Sequence, residues 1–113
     1  MKDDRAYLLH IRDAIGAIAS YTTGGRAQFF ADRKTQDAVL RNLEIIGEAV
    51  KQLSAGLTGA HPDLPWRQIA GMRDKLVHDY FGVDLDLVWQ VVEQQLSSVG
   101  ARVEAMLRAL GST

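Results

Sequence analysis

The sequence predicts an all-α protein, a small and mostly antiparallel bundle of four or five helices. Apolar residues recur at helical spacing in four stretches, and none shows the strict alternation of a half-buried strand. Both prolines, Pro62 and Pro65, fall between Gly59 and Trp66, so the strongest helix breaker is confined to one short interval. With 47% apolar and 24% charged residues, the 113-residue chain has ordinary globular composition. That suits one core and a single domain over residues 1–113.

The first helix is expected from about Asp4 to Thr22, with Leu8, Ile11, Ile15 and Ile18 on one stripe and Gly24-Gly25 ending it. The second, about Lys34 to Ala55, carries Val39, Leu43, Ile46, Val50 and Leu53 at alternating steps of four and three. Gly47 costs this helix about 1 kcal/mol in propensity against alanine, which a close helix crossing would justify. Gly56, Gly59 and Pro62 then mark a loop. The third helix opens at Pro65, with Asp63 a candidate cap, and runs to about Tyr80; Gly82 stops it. Asp84 caps the last, about Leu85 to Leu110, whose stripe is Val88, Val92, Leu96, Val99, Val103, Met106 and Leu110. Trp89, Val91 and Leu107 widen that face, which calls for deep burial or a subunit interface.

Composition narrows the function. No apolar run approaches the roughly 20 residues a membrane span needs, and Met1-Lys2-Asp3-Asp4-Arg5 lacks the apolar core of a signal peptide. Without cysteine there is no disulfide or thiolate chemistry, and the simplest expectation is a cytoplasmic protein. A net charge of −1 gives no general attraction for polyanions, so any nucleic-acid site must be a local one built from a few Arg and Lys.

The most informative stretch is Arg73-Asp74-Lys75-Leu76-Val77-His78-Asp79-Tyr80-Phe81. It sets a permanent cation, an imidazole and a phenol within two helical turns. At about 100° per residue, Arg73 and Tyr80 lie about 20° apart, whereas His78 lies about 140° from Arg73. One regular helix cannot aim Arg73 and His78 at one small target. Either the helix distorts near Gly82, or two copies of the chain each lend residues to a shared site.

Arg73, four residues, His78, one residue, Tyr80 is the R-x4-H-x-Y pattern of HEPN domains. Together with Pro65-Trp66, Gly71-Met72, His78-Asp79-Tyr80-Phe81-Gly82 and Val88-Trp89, the chain resembles the HepT branch of that superfamily. The stretch Arg41-Asn42-Leu43-Glu44-Ile45-Ile46-Gly47-Glu48-Ala49 resembles the second helix of the same proteins, so the likeness runs from Asp37 to about Gln95. It implies a HEPN-like bundle that dimerises through its motif helices. It implies a metal-independent endoribonuclease toxin, paired with a minimal nucleotidyltransferase antitoxin that adds AMP to the motif tyrosine, here Tyr80.

The residues suit that chemistry. RNA brings its own nucleophile, the 2′-hydroxyl, so no cofactor is expected. An imidazole such as His78 moves protons near neutrality. Arg73 offers a bidentate fork to phosphate oxygens and steadies a pentavalent transition state. Tyr80 would position the phosphate. Asp74 stands where many relatives have asparagine; it would orient the arginine or a histidine, or else lower the affinity for RNA. Lys75 is the best further phosphate contact, and the resemblance places Arg41 and Asn42 near the cleft. A bland reading gives Arg73, His78 and Tyr80 as surface groups and a core-edge aromatic.

Glu44 and Glu48 share a face but have Arg41 and Lys51 one turn away on either side, so they are expected to be neutralised rather than to bind metal. His10, beside Asp13, and His61, before Pro62, have no ligand set and are expected to be structural or incidental. Trp66 is expected to anchor the third helix and Trp89 to pack the fourth. Two other functions fit the same residues: a noncatalytic helical partner of a nucleotidyltransferase, and a purely structural dimerising bundle. RNA, a second copy of the chain and the nucleotidyltransferase are the expected partners; DNA and membranes are not.

Overall fold

A computed structural model describes residues 3–78 and 83–111, and of positions 73 and 76–78 only the backbone. The described residues form seven helices and no strand: α1 Asp4–Tyr21, α2 Gly25–Ala31, α3 Arg33–Gln52, α4 Ala55–Ala60, α5 Trp66–His78, α6 Leu85–Gln94 and α7 Leu96–Ala109. The all-α expectation holds, and the four anticipated stripes are the main helices. Two short helices and one break were not anticipated.

Asp3 opens α1 by accepting from the Ala6 amide at 3.1 Å. The helix stops before the glycine pair, and Gly25, at φ +84°, turns the chain into α2. That φ belongs to the left-handed region, where a side chain is strained. The turn carries Phe29 into the core, where it is fully buried with its ring 5.4 Å from that of Trp89. Asp32 then caps α3, accepting from the Lys34 amide at 3.1 Å and the Thr35 hydroxyl at 2.9 Å. The Thr35 bond is the chief reason its carboxyl is held below the usual carboxylate range.

α3 is the central helix. It packs most extensively against α1 on one side and α5 on the other. Val39, Leu43, Ile46, Val50 and Leu53 are all buried, as their spacing predicts. Gly47 is buried as well. On α1, Leu8, Ile11 and Ile18 are interior, but Ala14 takes the place expected for Ile15, which is only half-buried. Ile15 instead meets α7: a Cβ at Gly100 would lie 3.4 Å from its Cγ2.

The expected loop at Gly56 and Gly59 contains α4. Ser54 makes this possible by capping the Leu57 amide at 3.2 Å. Its own amide and hydroxyl donate to Asp4 at 2.7 and 2.6 Å, tying the start of α4 to the start of α1.

The single last helix expected from Leu85 to Leu110 is two helices, divided at Gln95 (φ −112°, ψ −38°). Asp84 caps α6 as expected, accepting from the Leu87 amide at 3.1 Å. The break accounts for the width of the apolar face. α6 buries Val88, Trp89 and Val91, with Trp89 against Phe29 of α2, while α7 buries Leu96, Val99, Val103, Met106 and Leu107 along α1 and the core. Leu110, placed on the stripe by periodicity, is 46% exposed; Leu107 is interior instead. Among the described residues, no helix is long and apolar enough to cross a membrane.

Candidate functional site

The motif is carried by α5, and three contacts fix how α5 begins. Trp66, its first residue, donates its indole N–H to the His61 carbonyl at 2.9 Å. Arg102 of α7 reaches over to Asp63, with Nη2 3.1 Å from Oδ1 and Nη1 on Oδ2. The same Nη2 lies 3.1 Å from His61 Nδ1. A guanidinium only donates, so Nδ1 accepts and the neutral ring carries its proton on Nε2. The hydrogen bond from Arg102 is the main reason that the Asp63 carboxyl is held below its ordinary range. Thus Asp63 serves as a clasp to α7, and His61 is part of that clasp.

Downstream, Ile69 and Met72 of α5 line one small cavity with Leu43 and Ile46 of α3, together with Val91, Leu96 and Val99. Trp66 therefore anchors α5 as expected. Positions 73 and 78 both lie within this regular helix, so the 140° between them stands. Tyr80, Asp79, Phe81 and Gly82 lie outside the described residues.

Asp74, next to position 73, is engaged from another element. Lys51 Nζ, in the last turn of α3, lies 2.8 Å from Asp74 Oδ1. This corrects one expectation, since Lys51 was assigned to the Glu44–Glu48 face. Arg41 does stay there, 3.6 Å from Glu44. Among the described residues, no three His, Asp or Glu side chains gather as metal ligands.

The other candidates are dispersed. Lys75 is exposed, on the rim of a groove of about 530 Å³ between α5 and α6, with Gln68, Gly71, Met72, Leu87 and Val88. On the α5 wheel Lys75 is about 160° from position 73, so one small site on a single chain cannot use both. Arg41 borders a different cleft, of about 250 Å³, between α1 and α3, with Tyr7, His10, Glu44 and Glu48. His10 is exposed and meets the Tyr7 ring edge-on, while Asp13 pairs with Arg12 instead. Asn42 donates its amide to Ala38 of its own helix at 2.9 Å. Trp89 is interior, as expected. Lys51 and Arg102 escaped sequence reasoning because their partners are 23 and 39 residues away, beyond any local pattern.

A helical bundle that displays R-x4-H on one well-anchored helix defines a class, and comparison with known proteins agrees. A family model described as ribonuclease HepT-like matches residues 11–106. A protein of Thermococcus cleftensis, named as a probable ribonuclease HepT, is 42% identical over 106 residues, covering 93% of this chain and 96% of that protein. One from Methanocaldococcus jannaschii, named as a proposed RNase, is 37% identical over 95% of this chain and 89% of its own. Another, from Caldanaerobacter subterraneus and named likewise, is 38% identical over 96% of this chain and 97% of its own. No solved structure matches the chain. The chain belongs to the HepT-like ribonuclease family.

Proposed function

We propose that this chain, folded as a single domain, is an endoribonuclease toxin that cleaves RNA without a metal, as a homodimer. Membership of the HepT-like ribonuclease family, with the motif arginine and histidine both on α5, is the observation that carries this reading. One imidazole accepts the proton of a 2′-hydroxyl, and the 2′-oxygen attacks the adjacent phosphorus. The bond to the 5′-oxygen breaks, and that oxygen leaves with a proton donated by an imidazolium. The products are a 2′,3′-cyclic phosphate and a 5′-hydroxyl. Arg73 holds the phosphate oxygens as charge builds on them. Because positions 73 and 78 diverge on α5, the site draws them from two facing motif helices. Asp74 and Tyr80 support the motif, and Lys75, Arg41 and Asn42 contact the RNA strand away from the scissile phosphate.

Inhibition follows from the same site. A nucleotidyltransferase antitoxin transfers AMP from ATP to the Tyr80 oxygen, releasing pyrophosphate. The new phosphodiester is anionic and the purine bulky, so RNA is both repelled and blocked.

The test is cleavage of end-labelled tRNA and mRNA in EDTA, by wild type and His78→Ala, with the product ends identified. Cyclic phosphate ends made by the wild type and lost in the variant support the proposal. No cleavage by protein shown by mass spectrometry to lack AMP would reassign the chain as a noncatalytic partner of a nucleotidyltransferase.

A further inference from the structure

The Lys51–Asp74 contact joins the last turn of α3 to the helix that carries the motif, at the residue following Arg73. A tie between groups that are 35% and 50% exposed contributes little to stability, typically under about 1 kcal/mol. Its consequence is electrostatic. Positions 74 and 78 are one turn apart on the same side of α5, so the Asp74 carboxylate belongs to the side of the helix where RNA is to be held. The whole chain is slightly acidic, at net −1, and gives no background attraction for a polyanion.

We propose that Lys51 is a positioning residue of the RNA site: by engaging Asp74 it cancels the carboxylate beside Arg73, so that phosphate can approach. This rests on the ribonuclease reading above and deepens it. Lys51 acts through Asp74, not by its own contact with the strand. The arrangement also explains how an acidic residue is tolerated directly after the motif arginine.

The experiment compares wild type, Lys51→Met, Lys51→Arg and the double variant Lys51→Met/Asp74→Asn. Steady-state cleavage of the end-labelled RNA gives kcat and KM. Anisotropy of a fully 2′-O-methylated, fluorescein-labelled oligoribonucleotide, which cannot be cleaved, gives Kd at several salt concentrations. Thermal melts and circular dichroism establish that each variant is folded.

Lys51→Met is expected to raise KM and Kd roughly three- to tenfold with kcat within about twofold, and to make the dependence of log Kd on log salt shallower by about 0.7. Lys51→Arg should match the wild type within about twofold. The double variant should recover the wild-type Kd and slope, because both charges are gone. A double variant as weak as Lys51→Met overturns the inference, since Lys51 would then meet RNA by itself. Unchanged KM and Kd in a folded Lys51→Met, beside an active wild type, overturns it while leaving the ribonuclease reading intact. A wild type that neither binds nor cuts RNA removes both.

Discussion

The indole N–H of Trp66 is bonded to the carbonyl oxygen of His61, 2.9 Å away, where the chain turns into the motif helix. The ring packs on the core while its polar edge closes the turn behind it. Trp66→Phe keeps most of the packing and leaves that carbonyl with one donor, the Leu64 amide at 3.2 Å, instead of two. A loss of about 1 kcal/mol is expected, read from the midpoint of urea unfolding at unchanged m. No change in midpoint would show that water replaces the indole at no cost.

A second prediction concerns the clasp on the same turn. The Asp63 carboxyl is depressed in the folded protein, chiefly by its hydrogen bond from Arg102. A depressed folded value stabilises above the unfolded value, near 3.9, and that stability is lost as pH falls through the folded one. Arg102→Met should therefore lower Tm at pH 7, and the gap from wild type should be smaller at about pH 3, below the unfolded value. Equal gaps at both pH values would mean that Arg102 acts through packing alone.

Phe29 should dominate the stability of the α2 region. It is fully buried against Trp89, and truncation removes a large apolar surface and leaves a cavity. Phe29→Ala is expected to cost roughly 3–5 kcal/mol. A loss below about 1 kcal/mol in chemical denaturation would mean that α2 closes over the gap.

Tyr80→Phe removes the oxygen proposed to accept AMP and keeps the ring. The variant, incubated with ATP and the cognate nucleotidyltransferase, should show no mass increase and should stay uninhibited. Persistent adenylylation would move the modification to another residue.

Most of the frame was legible in sequence because it follows from periodicity. Val39, Leu43, Ile46 and Val50 announce α3, and every one is interior. The caps at Asp84 and the start of α5 near Pro65 were legible for the same reason: each is a local rule. What escaped was decided at a distance. α2 exists because Phe29 finds Trp89, 60 residues later, and seven residues have too few turns to show a stripe. The division at Gln95 has no proline or glycine to signal it; it comes from serving α2 on one side and α1 on the other. In the site, R-x4-H-x-Y could be read directly, but the engagement of Asp74 by Lys51 depends on how α3 and α5 cross.

The division at Gln95 also separates two degrees of protection. α7 lies along α1 within the central packing, whereas α6 packs chiefly on α7 and on the short α2. Opening α6 together with α2 would expose Trp89 and Phe29 and leave the α1–α3–α5–α7 assembly standing. Backbone amides of 88–94 should then exchange with deuterium earlier than those of 99–106, through a partial opening that urea accelerates less than global unfolding. The groove between α5 and α6 would breathe with that opening, so its width belongs to the native fluctuations of the fold.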